Sequence, residues 1–466
     1  MGHLAVAALL IGFTLPLCAQ GSRASSAQKP APNIVLIVAD DLGYGELSCY
    51  GQTKIATPAC DRIAKQGLRF TDAHCGAPVC APSRCVLLTG LDMGRTHVRD
   101  NREIQPEGQE PLPRDTVTLG KLLKGAGYAT ACIGKWGLGG PGSSGAPDQQ
   151  GFDHFFGYLC QRKAHDHYPQ ELWRNREQVT LHRKQYAQDL FVAEARDFVT
   201  QKHERPFFLL LTPTLPHLAL QVPDAALAPY LGKWDETPYD GKKGYRPHPT
   251  PYAAYAAMIS EFDRGVGAIL AALEESGRAR DTLVLVTSDN GPTHDVGGVD
   301  TSFFASAGPL LGRKGSCYEG GIRVPLLAYW PGRIAPGSVS SHLVAATDYL
   351  PTLCELAGVK TPESCSGVSL VPTLTHSGTQ REHEFVYWEF PGYGGWQAVR
   401  QGPWMAVRKQ LAKNPDAPFE LYDLEKDLAQ TLDVAREHAE IVARAQSIAA
   451  KAHVPSREFP FPALDR

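Results

Sequence analysis

From Asn33 to Ala39 the chain reads Asn-Ile-Val-Leu-Ile-Val-Ala, an unbroken apolar and β-branched run that stops at Asp40-Asp41. A strand with one wet face alternates apolar and polar residues, so a run without alternation suits a strand buried on both faces. Similar runs recur at Phe207 to Leu211, Leu283 to Thr287 and Val324 to Tyr329. Between them lie helical patterns at Pro58 to Gln66, Val117 to Ala126, Gln188 to Thr200, Tyr252 to Glu275 and Thr347 to Ala357. Gly67, Gly127 and Gly358 close three of these patterns, in keeping with a C-terminal cap. Strands alternating with helices predict an α/β fold, a large mixed, mostly parallel sheet sandwiched by helices. Ligands of such sheets sit at the carboxyl ends of the strands, which is where Asp40, Asp41, Asp289 and Asn290 fall.

At 466 residues the chain exceeds what one hydrophobic core usually organises. From about Glu384 the texture changes to short aromatic-rich runs, Phe385 to Phe390, Trp396 to Val407 and Phe419 to Leu424, then a helical pattern near Ala435 to Ala452. We therefore expect a main domain over 33–383 and a smaller C-terminal subdomain over 384–466, an antiparallel sheet plus a helix. Residues Leu4 to Leu17 are apolar but too short to span a bilayer, and read as an export signal over 1–20 with a linker over 21–32, although no Lys or Arg precedes Arg23. Export to the periplasm or the outside follows, and Leu15-Pro16-Leu17-Cys18 leaves a lipid anchor on Cys18 as a minor alternative. The net charge of -3 gives no electrostatic reason to expect nucleic acid, so an anionic substrate must be held by local basic groups. The 11 cysteines lack zinc-ligand spacing, and which of them pair is not legible.

Two acidic pairs end separate strands, Asp40-Asp41 and Asp289-Asn290. Each taken singly is also an ordinary turn sequence. Carboxylates crowded together repel unless a cation neutralises them, and an all-oxygen set prefers Ca²⁺ or Mg²⁺ to Zn²⁺. The most specific stretch is Cys80-Ala81-Pro82-Ser83-Arg84, followed by Cys85-Val86-Leu87-Leu88-Thr89-Gly90. One reading is a buried cysteine opening a helix, with Pro82 near the first position where its missing N–H costs nothing.

The same stretch resembles the signature of the formylglycine-dependent sulfatases, arylsulfatase-like members of the alkaline phosphatase superfamily. The resemblance runs from Asn33 to Glu425 and implies that Cys80 is oxidised to a formylglycine aldehyde by a formylglycine-generating enzyme during maturation. It implies a calcium ion, less readily magnesium, held by Asp40, Asp41, Asp289, Asn290 and the oxygen of residue 80. It implies a cationic clamp of Arg84, Lys135 and Lys314 on the sulfate, and His217, in the Pro216-His217 register, as the acid that protonates the departing alcohol. It implies, too, that the hydrated aldehyde attacks sulfur and that its second hydroxyl then expels sulfate.

One position departs from the pattern. The family commonly has Gly-Lys-Trp-His-Leu-Gly, with the histidine on the aldehyde hydrate, and here that place is Gly137; Asp289 is one candidate to replace it. Relatives acting on phosphodiesters or phosphonate monoesters share the signature, and a non-catalytic carbohydrate-binding relative is a further alternative. The segment Gln161 to Tyr168, with His165 and His167, followed by Trp173 and Arg174, is either a saccharide subsite or a solvated polar loop with an anchoring Trp. A sulfated carbohydrate, or another sulfated small molecule, is the expected substrate, and no transmembrane span is expected.

Overall fold

The apolar run after Pro32 forms strand β1 (Asn33–Ala39), buried from Ile34 onward. The computed structural model describes residues 1–5, 7–9 and 31–466. The greater part of the expected signal and linker, with Cys18, lies outside the described residues. Residues 32–466 form one compact unit; residues 1–31 form another, whose described residues carry no helix or strand.

The remaining strands are β2 (Leu68–Phe70), β3 (Ala73–His74), β4 (Ala129–Lys135), β5 (His154–Tyr158), β6 (Glu171–Arg174), β7 (Glu177–Thr180), β8 (Phe207–Thr212), β9 (Thr282–Ser288), β10 (Leu326–Tyr329), β11 (Ser338–Ser340), β12 (Val344–Ala345), β13 (Val386–Phe390), β14 (Trp396–Gln401), β15 (Trp404–Lys409) and β16 (Glu420–Asp423). Ten strands make the main sheet in the order β11-β2-β10-β9-β1-β8-β4-β5-β6-β7. Its centre, β9-β1-β8-β4-β5, is parallel, and antiparallel β10 and β6 flank it. Because successive side chains point to opposite faces, Val35, Ile37, Leu209 and Val286 pack with the helices Pro58–Gln66, Ala187–Thr200 and Pro251–Glu275. Val38 and Leu210 face Leu87 and Leu88 of the helix Cys80–Thr89 on the other side. The strands can be apolar throughout because both faces are covered.

Strands β13 to β16 form a separate antiparallel sheet. One face, with Tyr387, Val399, Ala406 and Leu421, buries Ala445 and Ala449 of the helix Ala439–Ala452. The other, with Trp388, Ala398, Met405 and Val407, packs on Tyr318, Ile322 and Val324 of the main unit.

The apolar runs of the sequence do not mark β4 or the β5 to β7 segments. Strand β4 is Ala-Thr-Ala-Cys-Ile-Gly-Lys, buried after its first residue but built of small side chains, so it lacks the long apolar signature of β1. The helix expected from Val117 begins at Leu119, because the Thr118 hydroxyl caps it by accepting from the N–H of Lys121 at 3.3 Å.

Candidate active site

Two adjacent parallel strands, β1 and β9, bring their acidic ends side by side. Beyond β1 the N–H of Asp40 donates to the Leu215 carbonyl at 3.0 Å, and beyond β9 the N–H of Asp289 donates to the Ala39 carbonyl at 3.0 Å. Ladder-like bonds thus clamp both acidic turns. Asp41 takes a left-handed φ of 65° and its N–H donates to Asp289 Oδ1 at 3.2 Å.

Cys80 opens a helix, Cys80–Thr89, in which every residue is buried. Residues four apart share a helix face, so Arg84 stands on the same side as Cys80. Its Nε and Nη2 donate to Asp289 Oδ2 at 3.0 and 2.7 Å, and Nη1 donates to the Lys135 carbonyl at 2.8 Å. Lys135 ends β4 and donates its ammonium to Asp40 Oδ2 at 2.6 Å. Lys314, from the long segment after β9, donates to Asp41 Oδ1 and Oδ2 at 2.7 and 2.8 Å and lies 3.5 Å from Cys80 Sγ. That sulfur is 3.4 Å from Asp40 Oδ1 and 4.0 Å from Asp41 Oδ1. Each buried carboxylate therefore has its own cation.

Burial would push the Asp40 carboxyl up, but Lys135, His217, Arg84 and Lys314 outweigh it and hold the group well below the usual carboxylate range. At Asp289 burial wins over Arg84, and the carboxyl rises to about 6. Burial also pushes the Cys80 thiol up to about 12, against the pull of Lys135 and Lys314. As a thiol, Cys80 is protonated at neutral pH and a poor nucleophile.

Asp40, Asp41, Cys80 and His217 each offer a ligand atom within 4.8 Å of the others. Asn290 donates its amide to Asp41 Oδ1 at 2.7 Å, while its own Oδ1 is buried with no hydrogen-bond partner among the described residues. An orphaned carbonyl oxygen beside carboxylates fits a hard divalent cation. A second buried group, Asp72, His74 and Glu319, is instead paired by Arg323 and Arg400.

His217 is buried on the turn after β8. Its Nδ1–H donates to the Leu218 carbonyl at 2.6 Å, which leaves Nε2 facing the cluster 3.5 Å from Asp41 Oδ2. Burial, helped by Lys314, holds the imidazole well below its usual range. His165 stacks on it with ring centroids 4.4 Å apart, and burial with His217, Lys135 and Lys314 pushes it down to about 2. His167 is fully buried: it accepts from the Thr214 hydroxyl at 3.0 Å and donates to the His217 carbonyl at 2.9 Å. Both its nitrogens are spent on holding the His217 segment. Trp173 donates to Glu107 at 3.0 Å and borders a cavity of 560 Å³ with Arg114 and Arg176. Arg174 pairs with Glu194 at 2.7 Å and lies over the Phe156 ring. Trp173 and Arg174 lie on β6 rather than in a loop, and of the four residues His165 is the one whose ring contacts His217.

The family model described as Sulfatase matches residues 32–359. The chain belongs to the sulfatase family. It is an enzyme of the class that hydrolyses sulfate esters. A second family model, N-sulphoglucosamine sulphohydrolase, C-terminal, matches residues 313–451. The chain is 35% identical over 413 residues to Arylsulfatase A of Bos taurus, covering 82% of this chain and 76% of that protein. It is 34% identical over 402 residues to N-acetylgalactosamine-6-sulfatase of Mus musculus, covering 80% and 72%. Among solved structures, that of Ps i-CgsB in complex with k-i-k-neocarrahexaose superposes with a TM-score of 0.77 at 29% identity, covering 91% of this chain and 93% of that one.

Within this sulfatase frame, Gly137 has a φ of 81°, and a Cβ added to it would lie 2.4 Å from Gln161 Nε2. The Gln161 amide occupies the room a side chain at 137 would take. Asp289, the candidate replacement from sequence, has Oδ2 committed to Arg84 and Oδ1 to the Asp41 N–H. Two exposed tyrosines stand near the site without any signal in the sequence. The Tyr245 ring stands 5.7 Å from His165, and the Tyr393 ring, in the β13–β14 turn, stands 5.4 Å from His294 and packs on Gly315, the neighbour of Lys314. Neither carries a local motif, and only folding brings the C-terminal sheet to Lys314. Among the described residues no helix is long and apolar enough to cross a membrane.

Proposed function

We propose that this enzyme removes sulfate from a sulfated carbohydrate, using formylglycine made from Cys80 and a calcium ion held by Asp40, Asp41, Asp289 and Asn290. The observation that carries the reading is the seat of Cys80 Sγ, 3.4 Å from Asp40 and 3.5 Å from Lys314, with Arg84 on its helix face. Formylglycine at position 80 supplies the attacking oxygen, and calcium the charge that lowers its pKa. Arg84, Lys135 and Lys314 place positive charge where the transferring oxygens carry negative charge. His217, with Nδ1 committed to Leu218, keeps Nε2 for the proton given to the leaving alcohol. The anionic sulfate group entering beside the ring favours its protonated form.

The carbohydrate assignment rests on the exposed Tyr245 and Tyr393 at the mouth, whose rings suit the apolar faces of sugars. The names of two similar proteins agree with it, an N-acetylgalactosamine-6-sulfatase and a complex with a neocarrahexaose. The apolar stretch Leu4 to Leu17 supports export, which suits an extracellular polysaccharide. The test is sulfate release from a panel of sulfated mono- and oligosaccharides, with aryl and steroid sulfates and the matching phosphate and phosphonate esters alongside. Turnover of a sulfated saccharide, its loss in Cys80→Ala, and the mass loss of an aldehyde in the Cys80 peptide are expected. Faster turnover of phosphate or phosphonate esters, or an unmodified thiol in the active native protein, refutes the reading.

A further inference from the structure

Strands β4 and β5 run parallel, with Lys135 opposite Tyr158, and the N–H of Trp136 extends the ladder to the Tyr158 carbonyl at 2.9 Å. Just beyond, the two segments that follow these strands make a paired arrangement of their own. Gly137 presents bare backbone, and the end of the Gln161 side chain lies over it, with Nε2, Cδ and Cγ at 2.4, 3.0 and 3.2 Å from where a Cβ would be. Gln161 is 5% exposed, and its Nε2 is buried without a hydrogen-bond partner among the described residues. A buried amide donor left unmade costs free energy comparable to a lost hydrogen bond. Such a group persists where something absent from the bare chain completes it.

Its surroundings say what that is. Gly137 is two residues beyond Lys135, whose ammonium holds Asp40 and whose carbonyl holds Arg84. On the other side of Gln161, the same loop delivers His165 onto the His217 ring. Gln161 is thus tied on one side to Gly137, two residues past Lys135, and on the other, through its own loop, to His165 on the His217 ring. We propose that the Gln161 amide, admitted by the missing side chain at Gly137, donates a hydrogen bond to an oxygen of the sulfuryl group bound beside residue 80. The inference rests on the sulfatase mechanism proposed above. Arg84, Lys135 and Lys314 each already pair with a carboxylate, so a neutral donor with no partner adds a contact beside theirs. The side chain at 161 and its absence at 137 thus act as one unit.

The test compares kcat/KM and product inhibition by inorganic sulfate in the formylglycine-bearing, calcium-loaded enzyme, with aldehyde content and thermal midpoint measured for each variant. Gln161→Ala is expected to lower kcat/KM about tenfold to hundredfold, the loss of one hydrogen bond to a charged group, and to weaken sulfate inhibition similarly. Gln161→Glu, of the same size but anionic, is expected to lose more. Gly137→Ala pushes the amide aside and is expected to reproduce the loss, whereas Gly137→Ala with Gln161→Gly falls no further than Gln161→Gly alone. A Gln161→Ala enzyme within about twofold of wild type in both kcat/KM and sulfate inhibition overturns the proposal, even if its thermal midpoint drops, since that pattern belongs to a purely structural amide. If Gln161→Ala does not fold, Gln161→Glu decides in the same way. Wild-type enzyme that carries the aldehyde but releases no sulfate refutes the proposed function; active wild type indifferent to residue 161 refutes only this contact.

Discussion

Replacing Arg84 by Lys keeps the charge and removes the fork, so it separates electrostatics from geometry at the centre of the site. Arg84 is 4% exposed and makes bonds of 3.0, 2.7 and 2.8 Å, two to Asp289 and one to the Lys135 carbonyl. A single ammonium on a straight stem reaches one of these partners and leaves the other buried and unsatisfied. A hydrogen bond to a charged group contributes about 1.5–3 kcal/mol, and breaking a buried pair costs about 3–5 kcal/mol. With charge retained, the loss in unfolding free energy of the calcium-free, thiol-bearing chain is expected at about 3 kcal/mol. Urea unfolding followed by tryptophan fluorescence and by far-UV circular dichroism, with coincident transitions, measures it. In a double-mutant cycle, Arg84→Lys combined with Asp289→Asn is expected to cost less than the sum of the single variants, because the partner that Arg84→Lys strands is itself neutralised. A loss below about 1 kcal/mol, or strict additivity in the cycle, would refute the claim that the fork anchors the β1 and β9 ends.

Gly134→Ala is expected to cost about 3 kcal/mol or more, or to abolish soluble expression, since the new Cβ would sit 2.0 Å from the Thr212 carbonyl at a φ of 115°; a thermal midpoint equal to wild type contradicts this. Calcium added to chelator-treated protein is expected to raise the thermal midpoint saturably, by the equivalent of about 2.7 kcal/mol at a hundredfold excess over Kd. Asp41→Asn is expected to abolish most of that rise, and a calcium response unchanged in Asp41→Asn would place the ion elsewhere. At the C-terminus, His453 bonds Glu389 at 2.7 Å and Asp465 at 3.0 Å, and although burial opposes it these carboxylates raise the imidazole above its usual range. A raised pKa stabilises the fold fully below the unfolded value of about 6.5, and this contribution is lost as pH climbs through the folded value. Hydrogen exchange in residues 439–466 is expected to accelerate across that interval beyond its intrinsic pH dependence, and His453→Gln to remove the excess; a flat response in wild type contradicts the pairing.

The strand β1 was legible because six apolar residues in a row, Ile34 to Ala39, admit few environments, and the acidic pairs at its end and at the end of β9 were legible because a parallel sheet places strand ends together. Cys80 and Arg84, one helical turn apart on a buried helix, were legible as a sequence signature. Strand β4 was not, since Ala, Thr, Cys and Gly carry little periodic signal and its burial is imposed by neighbours on both sides. Four residues between 165 and 174 show the limit most clearly. His165, His167, Trp173 and Arg174 have equal claims in a string of letters. Yet folding stacks one on His217, spends the second on the Thr214 hydroxyl and the His217 carbonyl, and commits the last two to Glu107 and Glu194. The same holds for Gly137, which reads from sequence as a missing group and in space as room made for Gln161. Local chemistry and periodicity determine which residue types stand at which strand ends. Which side chains from distant segments meet there depends on packing between elements, and a pattern read along one chain carries no record of that distance.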